Sequence, residues 1–181
     1  MTTYIGLLRG INVGGHKLVP MADLRDLLTK LRFTDPRSLL QSGNIVFKTE
    51  GKTNEQVEQL LEVQVAKRFG FSVDCFVRTA AELKTVIAQN PFTEEAKRDP
   101  SHLLAMFLKT APSSKDVDAL RAAIVGSEVL RAKGRTAYFV YPDGIGRSKL
   151  TPALIEKKLG TRGTARNWNT VLKLHTLTTQ I

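Results

Sequence analysis

The first 78 residues alternate between short apolar runs and longer segments in which apolar residues recur every three or four positions. The longer segments have the spacing of one helix face and predict helices at 20–33 and 54–69. The short runs are rich in β-branched and aromatic residues and predict strands, at 3–8, 37–41, 44–49 and 71–78. The resulting order, β-α-β-β-α-β, is that of a ferredoxin-like unit.

Local chemistry supports several of these boundaries. Thr53 and Gln56 have the spacing of a capping box, and Gly70 is suited to the C-cap of the same helix. Pro20 is favoured in the first turn of the first helix, because its missing N–H would have no partner there. The Ser42-Gly43 pair predicts a turn between the second and third strands.

The same β-α-β-β-α order begins again near residue 102. A helix at 80–90 precedes Pro91, and the polar segment 91–101 predicts a linker. We therefore predict an α+β protein of two ferredoxin-like halves in tandem, residues 1–90 and 102–181. The alternative is that both halves contribute to one mixed sheet system. The elements predicted in the second half are strands at 102–110, 127–134, 135–142 and 161–165, and helices at 113–125, 151–160 and 167–177.

Composition narrows the class of ligand. The 181 residues carry a net charge of +10, from 27 Lys and Arg against 17 Asp and Glu, and 42% of them are hydrophobic. The hydrophobic share suffices for a buried core. The positive charge attracts phosphate-bearing partners such as nucleotides, nucleic acid or anionic lipid. The alternative is that the charge serves no specific partner.

Membrane, metal and cofactor chemistry is not predicted. No basic flank precedes an apolar signal core, and no apolar run approaches the ~18 residues that a membrane span needs. We therefore expect a cytoplasmic protein without a membrane partner. The histidines, His16, His102 and His175, lack metal-ligand spacing, and Cys75, the sole cysteine, lies in an apolar run where a buried side chain is expected.

The stretch LLRGINVGGHK, residues 7–17, joins the first predicted strand to the first helix. Two of its glycines have the spacing of a Walker loop, but His16 comes before Lys17 and no hydroxyl follows. The dinucleotide fingerprint is absent as well. Backbone amides, Arg9, Lys17 and the following helix N-terminus nevertheless fit an anion. The alternative is a glycine-rich connection with solvated cations.

Two further stretches combine glycines or amides with cations. GIGRSKLTP, residues 144–152, is glycine-rich and basic and also leads into a helix that begins with proline. Its Arg147 suits two-pronged contacts to phosphate or carboxylate. The alternative is a solvated loop in which Thr151 caps the helix.

TARNWNTVLK, residues 164–173, gathers a cation, two amides and the only Trp. An aromatic ring beside Arg166 can stack on a base, and amides can bind a base edge. The alternative, favoured for Trp168, is a side chain in the core, with Asn167 or Asn169 capping the last helix.

These stretches, LLRGINVGGHKLVPMADLR, LQSGNIVF, GIGRSKLT and RNWNTVLKL, resemble a bacterial family of uncharacterised proteins, domain of unknown function 1697, across essentially the whole chain. The resemblance implies two similar α+β halves and no established reaction, substrate or cofactor. The usual family form has an extra polar residue between His16 and Lys17. The signature positions that the resemblance implies are Arg9, Gly10, Asn12, Val13, Gly14, Gly15, Lys17, Gln41, Ser42, Gly43, Asn44, Gly146, Arg147, Ser148, Lys149, Arg166, Asn167, Trp168 and Asn169.

The leading hypothesis is a protein that binds a phosphate-bearing ligand, with single-stranded nucleic acid or a nucleotide favoured. An enzyme acting on a small phosphorylated or anionic substrate is an alternative, since electrostatic catalysis needs no triad. A protein–protein interaction module is a third, and an exposed apolar patch would mark it. The predicted ligand-binding residues are Arg9, Asn12, Gly14, Gly15, Lys17, Gln41, Ser42, Asn44, Arg147, Ser148, Lys149, Arg166, Asn167, Trp168 and Asn169.

Overall fold

Eight strands and seven helices form in the computed structural model, which describes residues 1–181. They follow the predicted order, with one additional short helix. The strands are β1 (Thr2–Leu8), β2 (Thr34–Leu39), β3 (Asn44–Thr49), β4 (Cys75–Thr79), β5 (Leu103–Leu108), β6 (Val129–Lys133), β7 (Thr136–Val140) and β8 (Gly163–Asn167). The helices are α1 (Met21–Lys30), α2 (Asn54–Phe69), α3 (Ala80–Ala88), α4 (Thr93–Arg98), α5 (Ser114–Ala123), α6 (Pro152–Leu159) and α7 (Trp168–Thr178).

The chain divides into two compact units, which we call the first unit (Met1–Thr85 with Lys173–Ile181) and the second unit (Val86–Leu172). The segment 91–101, predicted as a linker, holds α4 and the start of a 3₁₀ turn at Pro100–His102. None of the helices combines the length and the hydropathy needed to cross a bilayer.

Each unit contains one four-stranded sheet, and the two sheets have the same strand order. The order is β2-β3-β1-β4 in the first unit and β6-β7-β5-β8 in the second. All strand pairs are antiparallel. The prediction of two tandem ferredoxin-like halves is confirmed. The alternative of one mixed sheet system is wrong, because the strands form two separate antiparallel sheets.

The core of the first unit lies between one face of its sheet and the helices α1 and α2. Tyr4, Leu8 and Phe47 of the sheet pack with Leu24 of α1 and Leu61 of α2. The opposite face of the sheet is buried as well, since it carries fully buried residues such as Ile5, Leu7 and Phe76. Burial on both faces explains why β1 is a nearly continuous apolar run rather than an alternating one.

The second unit repeats this arrangement. Met106 and Phe139 of the sheet pack with Leu120 of α5 and Ile155 of α6. The predicted caps form: Thr53 makes the complete capping box of α2, Gly70 ends that helix in the left-handed conformation, and Thr151 caps α6.

The outer edge of β4, which has no neighbouring strand, is covered by carboxylates from α2. The backbone N–H of Cys75 donates to Glu62 Oε1 at 2.9 Å, and that of Val77 donates to Glu58 Oε1 at 2.8 Å. The two glutamates lie one helical turn apart and therefore reach two N–H groups on the same side of the strand. Occupied edge N–H groups cannot pair with a strand of another chain.

Three strands, β2, β4 and β8, differ most from the prediction. β4 spans Cys75–Thr79 rather than 71–78, because its partner β1 ends at Leu8, opposite Cys75. β2 spans Thr34–Leu39 rather than 37–41, because its first residues form a polar, bulged edge that contains Asp35 at a φ of 48° and so lacks an apolar pattern. β8 spans Gly163–Asn167 rather than 161–165, and therefore contains part of the stretch that was predicted to bind a ligand.

Candidate functional site

A surface pocket of about 260 Å³ lies in the second unit, at the end of the sheet where β5 begins and β7 ends. It is formed by the segment before β6 and by the loop that joins β7 to α6. The lining residues are Val125, Gly126, Ser127, Glu128, Tyr141, Asp143, Gly144, Arg147, Ser148 and Lys149.

The loop between β7 and α6 owes its shape to Gly144. This residue has φ 81° and ψ 150°, a backbone conformation that is essentially confined to glycine. A 3₁₀ turn at Ile145–Arg147 follows, and the backbone N–H of Leu150 donates to Ser148 Oγ at 3.0 Å. Thr151 then caps α6, which begins at Pro152. The glycine pattern predicted from the sequence therefore shapes one wall of the pocket.

Two hydrogen bonds from serine hydroxyls to carboxylates connect the two sides of the pocket. Ser127 Oγ donates to Asp143 Oδ2 at 2.6 Å. Ser148 Oγ donates to Glu128 Oε1. Gly126 lies beside this second pair, and a Cβ added there would displace the carboxylate of Glu128. Both carboxylates thus have a fixed hydroxyl donor and keep further lone pairs for other donors.

The pocket combines cations with these carboxylates. Arg147 and Lys149 line it, and both side chains are exposed to solvent. A guanidinium and an ammonium group can bind phosphate oxygens. The carboxylates of Glu128 and Asp143 can accept hydrogen bonds from hydroxyl or amino groups of the same ligand. This set suits a ligand that carries a phosphate and hydroxyl groups.

The floor of the pocket is apolar and aromatic at Tyr141, which is only 3% exposed. Burial, together with the nearby negative charge of Glu128, raises the pKa of Tyr141 to about 12. The phenol is therefore neutral at physiological pH. It contributes an apolar ring and a hydroxyl rather than a charge.

A histidine–carboxylate pair lies beside the pocket. His102 Nδ1 is 2.5 Å from Asp99 Oδ2, and Ser101 Oγ donates to Asp99 Oδ1 at 2.5 Å. Asp99 accepts hydrogen bonds from Ser101 and His102. Both hold the pKa of Asp99 below its usual value, and the bond from Ser101 has the larger effect. His102 Nε2 faces Gly144, since it would lie 3.9 Å from a Cβ added there. A neutral imidazole that donates through Nδ1 accepts through Nε2.

The Arg-Asn-Trp-Asn stretch is largely structural. Trp168 is 3% exposed and contacts the ring of Tyr138, with the centroids 6.4 Å apart. Asn167 Oδ1 accepts from the backbone N–H of Asn169 at 3.0 Å and so caps α7. The core position favoured for Trp168 and the capping role of Asn167 are both present.

Arg166 is buried, and its burial lowers the pKa of the guanidinium to about 10. Its Nη1 donates to Thr164 Oγ1 at 2.7 Å and to the carbonyl oxygen of Ala165 at 2.9 Å. Arg78 has the equivalent register position in the first sheet, and its Nη1 donates to the preceding carbonyl oxygen at 2.7 Å. The same arginine position and the same contact occur in both sheets, which indicates a structural role for Arg166.

The glycine-rich stretch of the first unit is held by its own polar side chains. Asn12 has a φ of 54°, and its Nδ2 donates to the carbonyl oxygens of Val19 at 2.9 Å and Gln41 at 2.6 Å. Lys17 Nζ donates to the carbonyl oxygen of Ser72 at 2.8 Å. Arg9 Nη1 is 3.6 Å from Asp74 Oδ2. These contacts hold the loop in its conformation.

The neighbouring turn, residues 41–44, is also internally bonded. Asn44 is fully buried, and its Nδ2 donates to Ser42 Oγ at 2.9 Å and to the carbonyl oxygen of Leu39 at 3.1 Å. The apolar side chains of Val13, Leu18 and Leu40 are exposed around this end of the first unit. Gly14 and Gly15 are exposed and have positive φ.

The structure therefore separates the predicted residues into groups. Arg147, Ser148 and Lys149 lie together in the pocket, whereas Arg9, Asn12, Lys17 and the 41–44 turn share one end of the first unit. The remaining polar lining of the pocket and the His102–Asp99 pair were not predicted from the sequence. The three-residue spacing of Asp99 and His102 around Pro100 was the one indication of that pair in the sequence.

Comparison with known proteins places the chain in a family. A family model described as "Protein of unknown function (DUF1697)" matches residues 1–138. The solved structure of the conserved bacterial protein SP0830 from Streptococcus pneumoniae is similar over 98% of both chains, with 26% sequence identity and a TM-score of 0.72. No protein with a curated description matches the chain. The family resemblance inferred from the sequence is confirmed. The glycine-rich loop of the pocket lies beyond the matched residues.

Proposed function

The chain belongs to the DUF1697 family, and since that family's description names no activity, we propose from the geometry of the second unit that the protein binds a small phosphate-bearing ligand. The binding site is the pocket formed by residues 125–128 and 141–149. The observation that carries the proposal is the convergence of Arg147 and Lys149 with two hydroxyl-bonded carboxylates around one pocket.

The size of the pocket supports a small ligand over a polymer. Its volume of about 260 Å³ lies just below the ~300–1,000 Å³ typical of small-molecule sites, and suits a compound no larger than a mononucleotide or a phosphorylated sugar. Arg147 and Lys149 would bind the phosphate, and Glu128 and Asp143 would accept hydrogen bonds from sugar hydroxyls. Trp168, the residue that single-stranded nucleic acid would use for stacking, is buried.

The test is a charge reversal at the two cations. The double substitution Arg147→Glu and Lys149→Glu is expected to weaken binding of adenosine monophosphate or pyrophosphate at least tenfold, or about 1.4 kcal/mol, because both phosphate-binding charges change sign. Isothermal titration calorimetry measures this directly.

The matched control is the double substitution Lys30→Glu and Lys67→Glu. It changes the net charge equally but alters exposed lysines on α1 and α2. Affinity in this control should stay within about twofold of wild type, since neither lysine lines the pocket and exposed charges are screened by salt. An equal loss of affinity in the two double variants would refute the proposal that this pocket binds the ligand. So would the absence of any heat of binding when wild-type protein is titrated with either probe.

The His102–Asp99 pair favours a second candidate function, an enzyme that acts on the bound phosphorylated compound. In this candidate His102 Nε2 accepts a proton from a water or hydroxyl at the ligand, and Asp99 holds the imidazole in the required tautomer. The His102→Ala variant is expected to lose hydrolysis of pyrophosphate or p-nitrophenyl phosphate while keeping calorimetric affinity. The Asp99→Asn variant should lower turnover, because an amide can also present an N–H group to Nδ1 and no longer fixes the tautomer. Unchanged turnover in His102→Ala would reject this candidate.

A further inference from the structure

Opposite charges line the pocket of the second unit without pairing with one another. Arg147 and Lys149 come from the loop between β7 and α6, and Glu128 and Asp143 complete the charged lining. Neither cation forms an ion pair or a side-chain hydrogen bond within the protein, and each carboxylate accepts a hydrogen bond from a serine hydroxyl alone. Since opposite charges attract over short distances, this arrangement keeps both kinds of charge for a ligand.

The serine partners orient the carboxylates but leave their negative charge in place. Ser127 Oγ donates to Asp143 Oδ2 at 2.6 Å, and Ser148 Oγ donates to Glu128 Oε1. Glu128 is half-buried, and a charge that is partly removed from water without a counter-charge costs free energy. A cationic group of a ligand would offset that cost more fully than a neutral hydroxyl group would.

The hydroxyl group of Tyr141 adds a third acceptor to the pocket. Tyr141 is only 3% exposed, yet it lines the pocket and its hydroxyl makes no hydrogen bond within the protein. Burial, and after it the nearby negative charge of Glu128, raises the pKa of Tyr141 to about 12, so the phenol is neutral. A neutral phenol oxygen can accept a hydrogen bond. The two carboxylates and this oxygen therefore form a set of three acceptors.

This set matches an ammonium group better than a hydroxyl group. An ammonium group has three N–H donors and no acceptor, whereas a hydroxyl group has one donor. Hydrogen bonds from an ammonium group to a carboxylate are charge-assisted and roughly twice as strong as neutral ones. A ligand with only negative charge would instead be repelled by both carboxylates. The acceptors therefore fit an ammonium group in number and in charge.

We propose, on the basis of the phosphate site proposed above, that the ligand is a phosphate ester that also carries a primary ammonium group. Arg147 and Lys149 bind the phosphate group. Glu128, Asp143 and Tyr141 bind the ammonium group, and any sugar hydroxyls share the remaining lone pairs of the carboxylates. The pocket thereby selects against phosphate esters that lack a positive charge, because these leave the two carboxylates without a counter-charge.

The experiment uses the full chain and two matched pairs of compounds, compared by isothermal titration calorimetry near pH 7. Within each pair, an ammonium group replaces one hydroxyl group. The pairs are glucosamine 6-phosphate with glucose 6-phosphate, and phosphoethanolamine with 2-hydroxyethyl phosphate. The ammonium compound is expected to bind about tenfold more tightly than its hydroxyl counterpart, because its bonds to the carboxylates are charge-assisted.

Two variants connect this preference to the carboxylate of the pocket. Glu128→Gln should reduce the preference to about threefold or less, because the amide oxygen can still accept from Ser148 but carries no charge. Glu94→Gln is the matched control, since it removes the same charge from an exposed position on α4 of the same unit, and it should keep the full preference. Circular dichroism checks that both variants are folded.

The outcomes distinguish this inference from the proposed phosphate site. Equal affinity within both pairs, or a preference that Glu128→Gln leaves intact, would overturn the inference while the phosphate site stands. No binding of the four compounds by a protein that still binds pyrophosphate would have the same meaning. If pyrophosphate and adenosine monophosphate also fail to bind, the phosphate site itself is refuted.

Discussion

Replacing Glu58 by Ala is expected to lower the free energy of unfolding by about 3–5 kcal/mol, the range found when one partner of a buried ion pair is removed. Glu58 is 6% exposed and Arg78 is 3% exposed, and Glu58 Oε1 lies 3.7 Å from Arg78 Nη1. The same oxygen accepts from the backbone N–H of Val77 at 2.8 Å. The substitution therefore removes a buried counter-charge and a buried acceptor together.

Urea unfolding followed by circular dichroism measures this loss. Glu58→Gln should be intermediate, because an amide oxygen can still accept from Val77 but carries no charge. Gln59→Ala is the matched control, since Gln59 is the next residue on α2 and is exposed. If Glu58→Ala costs no more than Gln59→Ala, the buried pair does not stabilise the first unit as argued.

Gly43→Ala is expected to cost about 2–5 kcal/mol, from backbone strain and overpacking combined. Gly43 has a φ of 77°, and an added Cβ would lie 2.8 Å from Leu8 Cβ and 2.9 Å from Ile11 Cδ1. Both neighbours belong to the core. The close approach exists because the Gly43 carbonyl oxygen accepts from the N–H of Leu8 at 2.9 Å, which joins the turn to β1.

The same urea titration checks this prediction, with Ser42→Ala as the control. Ser42 is exposed, and its Oγ accepts from Asn44 at 2.9 Å, so its loss should cost only about 1 kcal/mol. Comparable costs for the two substitutions would contradict a structural role for the glycine. The outcome decides why the Gln-Ser-Gly-Asn turn is part of the sequence signature.

The sequence predicted the fold well where burial determines the pattern. β1, β3, β5 and β7 are central strands and apolar on both faces, so they were recognisable as runs. The edge strand β2 was displaced in the prediction, because its polar residues and the bulge after Thr34 give no period of two. These errors did not change the predicted order of elements, and the fold was therefore predicted correctly.

The candidate site was only partly predictable from the sequence. The glycine-rich loop of residues 144–149 was recognisable because Gly144 and the basic residues are close in sequence. Ser127, Glu128 and Asp143 come from two chain segments whose meeting depends on the pairing of β6 with β7. The spacing of these serines and carboxylates in the sequence does not predict that they lie close together in the fold. The same limit hid the structural roles of Asn12 and Arg166, whose partners are visible only in three dimensions.

The most direct test of the central claim is a map of backbone amide chemical shifts during titration with a mononucleotide. If the pocket of the second unit binds the phosphate-bearing ligand, the shift changes will be saturable and centred on residues 125–128 and 141–149. If they centre instead on residues 9–17 and 41–44 of the first unit, or if no residue shifts at millimolar ligand, the assignment of the site is contradicted.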